Sequence, residues 1–102
     1  MTTKRCSSLK DLEKRFGVMT LGLFLRAFRE AEDCSQAEYA RTLKLSRANL
    51  CDIEKGRKLA SPLRAAQLAK RIGVAEEILV KLAIQDILRE AKLNYHVELK
   101  AA

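Results

Sequence analysis

The sequence has no tryptophan, one proline, four glycines and one histidine among 102 residues. So few turn-forming residues argue against an all-β fold, which depends on them at every hairpin. No apolar run approaches the roughly 20 residues that a membrane span requires. The N-terminal stretch MTTKRCSS is basic but has no apolar segment behind it, so it does not read as a secretory signal. Cys6, Cys34 and Cys51 are widely spaced, no C-x-x-C pair exists, and His96 stands far along the chain. A zinc site needs several thiolates or imidazoles at short, repeated spacings, so neither a metal nor a cofactor is expected. The thiols read as reduced, which suits a cytoplasmic protein.

What is present points to helices and to a polyanion. Leu, Ala, Lys, Arg and Glu dominate, and the length suits one small domain with a single core. The net charge is +7 and it is unevenly spread. Residues 1–19 carry five basic and two acidic side chains, residues 20–73 eleven and six, and residues 74–102 four and five. A basic excess confined to part of a chain is the electrostatic footprint of a nucleic-acid binder, although solubility alone also accounts for net charge.

Apolar periodicity and capping residues divide the chain. Ser8 with Asp11 three residues on begins a short helix whose Leu9, Leu12 and Phe16 share a face, ended by Gly17. Leu21, Phe24, Leu25 and Phe28 predict a helix to Ala31. Ser35 with Glu38 forms a capping box opening a short helix that ends near Lys44. Ser46 caps another, from Arg47 to Lys55, stopped by Gly56. Ser61-Pro62 begins a helix running to Ile72 and Gly73, and a longer one follows from about Ala75 to Ala91. The alternating LNYHVELK at the end predicts a short strand.

The helices from Ser35 and Ser46 are separated only by KLS, a connection too tight for antiparallel packing. They must cross steeply, which is the helix-turn-helix geometry. On a helical wheel, Leu50 and Ile53 point inward, while Ala48, Cys51, Asp52 and Lys55 point outward between Arg47 and Asn49. Small residues among long polar ones allow close approach to base edges. Arg47 can donate to guanine, Asn49 can reach adenine or a phosphate, and Asp52 can accept from cytosine N4. Asp52 and Glu54 are two apart on a helix and diverge, so they do not form an acid/base pair. Cys51 has no histidine nearby and reads as a passive small residue.

The segment SQAEYARTLKLSRANLCDIEKGRKLASP resembles the Cro/phage-repressor class of helix-turn-helix proteins, the xenobiotic-response-element family. The resemblance rests on Gln36, Ala40, Ser46 and the closing IEKG, and covers about Leu21 to Leu79. It implies an all-α, five-helix repressor-like domain at 20–79, with the helix-turn-helix at 36–55. An N-terminal extension with a short helix (1–19) flanks it on one side, and the rest of the long helix with a C-terminal dimerisation or partner tail (80–102) on the other. By the same resemblance Arg47, Ala48 and Asp52 meet bases, and Gln36 holds the DNA backbone. Lys55, Arg57 and Lys58 lie near phosphates, and Arg29 pairs with Glu54 across the helices. Two positions depart from the family pattern. Lys44 stands where glycine is usual in the turn, and Asp52 puts a negative charge on the reading face.

One recognition helix reads few base pairs, so a homodimer on double-stranded operator DNA is expected. Ile78, Leu79, Leu82, Ile87 and Leu88 form its candidate seam, supported by Tyr95 and Val97 in the strand-like tail. The expected function is a dimeric transcriptional repressor, not an enzyme, of bacterial or phage origin. The alternative is an antitoxin of a toxin–antitoxin pair, which such proteins resemble in size and domain and which also binds a toxin protein.

Overall fold

The computed structural model describes residues 19–102. The Ser8-capped helix and the 1–19 extension therefore lie outside the described residues, apart from Met19, which is buried. Five helices follow: α1 Leu21–Ala31, α2 Gln36–Leu43, α3 Arg47–Glu54, α4 Pro62–Ile72 and α5 Glu76–Glu90. The fold is all-α, and no described helix is long and apolar enough to cross a membrane.

Four of the helices begin on a hydroxyl that takes up an otherwise orphaned backbone donor. Thr20 Oγ1 accepts from the Leu23 N–H, Ser46 Oγ from Asn49 and Ser61 Oγ from Arg64, all within 3.1 Å. Ser35 Oγ accepts from Glu38 N–H, and Glu38 Oε1 accepts in return from Ser35 N–H at 3.0 Å. These bonds to Ser35 hold the Glu38 carboxyl below its ordinary range. α5 has no side-chain cap; Glu76 and Glu77 in its first turn complement the helix dipole instead.

The helix ends share one device. Asp33, Lys44, Gly56, Gly73 and Lys92 all take positive φ, between 58° and 77°. After each, the next N–H reaches back five residues: Cys34 to Arg29, Leu45 to Ala40, Arg57 to Asp52, Val74 to Ala69 and Leu93 to Leu88. This is the Schellman closure, which satisfies carbonyls the helix leaves unpaired. Where the residue is not glycine, the left-handed conformation costs roughly 1 kcal/mol. Lys44 accepts that cost at φ 59°, and the three-residue turn between α2 and α3 is retained.

The core is built from leucines supplied by all five helices, with Leu25, Leu43, Leu50, Leu68 and Leu79 fully buried. α5 lies along α4, and α1 packs on both α3 and α5. Gly22 sets the closeness of α1 to α3, because a Cβ there would sit on the Ile53 carbonyl oxygen. Two long-range bonds tie helix ends together. Asp86 on α5 accepts from the Leu21 N–H at the start of α1 (3.0 Å), and Arg71 on α4 donates to the Leu43 carbonyl at the end of α2 (2.9 Å). Burial raises the Asp86 carboxyl above its ordinary range, against the opposing pull of the Leu21 N–H and of Arg89.

Two sequence expectations change here. Leu79 and Leu82, assigned to an intersubunit seam, are buried within the domain itself. Their face of α5 is the one that α1 and α4 cover. The tail forms no strand among the described residues. An isolated strand has no ladder partner inside an all-α domain, and here Gln85 stands in for one. Its Nε2 donates to the Tyr95 carbonyl (2.6 Å), and its Oε1 accepts from Val97 N–H (2.9 Å).

Chemical denaturation of paired variants checks these packing arguments. Lys44→Gly should raise stability by about 0.5–1 kcal/mol by relieving the left-handed lysine. Gly22→Ala should lower it by about 1–3 kcal/mol, since backbone has to move.

Candidate nucleic-acid interface

The candidate interface is the outward side of α3 together with the loop that leaves it. Its orientation is fixed from behind by a buried ion pair. Arg29 Nε donates to Glu54 Oε2 at 2.9 Å and its Nη2 to Glu54 Oε1 at 3.1 Å, a two-pronged contact. The Glu54 side chain is 3% exposed and that of Arg29 14%. Arg29 also donates to the Cys34 carbonyl (3.1 Å), and Gln36 Nε2 donates to Glu54 Oε1 (3.0 Å). Hydrogen bonding to Glu54 holds the Arg29 guanidinium above its ordinary pKa in spite of burial. One carboxylate thus joins α1, the start of α2 and the end of α3. Gln36, assigned to the DNA backbone by resemblance, spends an amide donor on this cluster and is half-buried.

On the outward side, Arg47 and Ala48 are exposed at the first turn of α3, while Asn49, Cys51 and Asp52 are half-buried. The first turn holds no acidic residue, so Arg47 sits at the unmasked positive end of the helix dipole. Ser46 is committed to capping through its Oγ. Lys55 is exposed beyond the last turn.

The exit loop folds back over the helix. Gly56 at φ 77° turns the chain so that the N–H groups of Arg57 and Lys58 both reach the Asp52 carbonyl, at 2.8 and 3.3 Å. Their side chains follow. Arg57 Nη1 donates to Asp52 Oδ1 (3.2 Å), and Lys58 Nζ donates to Asn49 Oδ1 (2.8 Å). The Asp52 carboxylate is therefore paired, and the Asn49 amide oxygen is engaged by Lys58.

Arg64 belongs to the same surface and was missed from sequence. It is exposed in the first turn of α4 and shares with Asn49, Lys58 and Ser61 a cleft of about 270 Å³. The signal for it was present, since Ser61-Pro62 fixes the helix start and hence the outward first turn. Asp86, by contrast, lies 65 residues from the N–H it receives, and nothing local announces that contact.

The other expected partners are dispersed. Ile78 is half-buried against the core, whereas Ile87 is exposed and Leu88 half-buried further along α5. Tyr95 is exposed and Val97 half-buried on the tail beside Gln85. Cys34 and Cys51 are free, and among the described residues no His, Cys, Asp and Glu cluster is arranged to hold a metal.

Compared with known families, residues 20–80 match the model described as a helix-turn-helix domain. No curated protein and no solved structure gives a significant match.

The Arg29–Glu54 cluster yields a stability test. Glu54→Ala leaves Arg29 and the Gln36 amide without their acceptor and should cost about 3–5 kcal/mol in denaturant unfolding. Replacing both members, as Arg29→Met with Glu54→Leu, should cost much less, because no buried charge is then left alone.

Proposed function

Because the chain belongs to the helix-turn-helix domain family, we propose that it is a transcriptional regulator of double-stranded DNA that lays α3 in the major groove. The observation that carries this reading is the exposed Arg47–Ala48 corner of α3, accompanied by exposed cations at the helix end, on the exit loop and at the start of α4: Lys55, Arg57, Lys58 and Arg64. A small residue beside a long donor permits close approach to a base pair, and the surrounding cations suit flanking phosphates. Arg47 reads a base, with guanine the natural partner for its paired donors. Lys55 and Arg64 neutralise phosphates, as do Arg57 and Lys58 once engaged. Gln36 acts from the first turn of α2, close to the backbone.

We infer further that the protein acts as a dimeric repressor in the cytoplasm of a bacterium or its phage. Support for a dimer comes from apolar surface that the domain leaves uncovered: Ile87 on α5, with Leu93, Tyr95 and Leu99 on the tail. The seam thus shifts toward the C-terminal part of α5, Ile87 and Leu88, and the tail. The antitoxin reading is compatible with DNA binding and offers two surfaces for a toxin protein, the N-terminal extension (1–19) and the exposed tail. A small toxin-like reading frame beside the gene, whose product binds this protein, would favour it.

Fluorescence anisotropy on the protein's own upstream region and on a random duplex tests the DNA reading. Arg47→Ala should weaken the specific duplex by about 1–3 kcal/mol and flatten sequence preference. Lys55→Ala should weaken both duplexes alike and reduce the salt slope by about one. Wild type that binds its upstream region no tighter than random duplex, without salt dependence, overturns the proposal. For the dimer, sedimentation of Ile87→Glu should show monomers and weakened operator binding; a dimer that persists rules this seam out.

A further inference from the structure

The two pairs between the exit loop and α3 are not equivalent, and the difference has a consequence for specificity. Arg57 is bound to Asp52 twice, through its backbone N–H to the Asp52 carbonyl and through its side chain to the carboxylate. Lys58 likewise rests on Asn49, but on a neutral amide oxygen. Both cations occupy the loop from which phosphates would be held, yet their side-chain donors are turned onto the reading helix. Of the two carboxylates on α3, Glu54 is buried in its own ion pair, so Asp52 alone meets an approaching duplex. The Asp52 and Arg57 side chains are 39% and 63% exposed. A pair this open is weak and exchanges readily.

When Lys58 leaves Asn49 for a phosphate, only an amide oxygen is uncovered. When Arg57 leaves Asp52, a carboxylate is left facing a polyanion. That charge is costly unless a base opposite donates a hydrogen bond to it, and cytosine N4 is the major-groove donor suited to a carboxylate. We propose that Asp52 makes the release of Arg57 to DNA conditional on a cytosine at one position, and so acts as a specificity determinant by penalising other sequences. Discrimination through an unpaired charge against the wrong partner is a general route to specificity. Asp52 works partly through Arg57, whose phosphate contact it withholds on non-cognate duplex. This inference rests on the DNA-binding reading above.

The test compares wild type, Asp52→Asn, Asp52→Ala and Asn49→Ala on the upstream region and on random duplex over a range of salt. Asp52 is only half-buried and its backbone bonds survive substitution, so both Asp52 variants should fold. Each should bind random duplex about tenfold tighter than wild type, with a smaller gain on the cognate duplex. The salt slope on random duplex should steepen by about one as Arg57 becomes free for a phosphate. Asn49→Ala should show no such gain. Replacing C·G by T·A through the cognate site should reveal one position to which Asp52→Asn is indifferent and wild type is not. Wild type that binds no duplex overturns both readings. Salt-dependent wild-type binding, with Asp52→Asn within twofold of it on random duplex and the same slope, overturns this inference alone.

Discussion

The two-pronged Arg29–Glu54 contact is the constraint on which the arrangement of the other parts depends. Glu54 is the last residue of α3, Arg29 lies late in α1, and Gln36 opens α2. Three helices thus share one carboxylate. Desolvation offsets much of the attraction between such buried charges, so its contribution is to orientation more than to net stability. A leucine pair could fill the same space, but it would accept a range of rotations of α3 about its own axis. A forked hydrogen-bonded contact accepts few.

Two backbone features act with that tether. Gly22 brings α1 against the Ile53 carbonyl one residue before Glu54, which puts Arg29 within reach two turns later. Lys44 takes the left-handed turn that swings α3 across α2, at a conformational cost that a glycine there would avoid. The departure from glycine leaves the turn geometry intact because the Leu45 N–H still closes onto Ala40 and the Leu45 side chain still packs on the core. The outward face of α3 is therefore positioned by contacts on its inward side and at both its ends.

The exit loop is bound to the helix it leaves through both its backbone and its side chains. Gly56 reverses the chain, the Asp52 carbonyl receives two N–H groups, and the basic side chains then lie across the helix they have just left. Asp52, a carboxylate on the face proposed to meet DNA, is paired with Arg57. The tail uses similar economy on α5, where the Gln85 amide imitates a neighbouring strand and holds Tyr95 and Val97 without any sheet.

Much of the architecture is legible in local sequence, because helix starts and stops are decided by neighbours within five residues. Ser35 with Glu38, Ser46, and Ser61 with Pro62 each mark a start within a residue of the observed one. The pattern Leu50–Ile53 separates the inner face of α3 from its outer face without reference to the rest of the chain. Resemblance supplied the pairing of Arg29 with Glu54, which spacing alone does not specify. Other features depend on residues far apart in sequence. Leu79 and Leu82 read as surplus apolar surface until α1 and α4 are seen to cover them. Asp86 has no local reason to be anything but a solvated carboxylate. The partnership of Asp52 with Arg57 required the conformation of Gly56. Short-range hydrogen bonds and apolar period thus determined which helices form and which face of α3 is free. Only tertiary packing decided which apolar residues were already buried and which charges had already found a counter-ion.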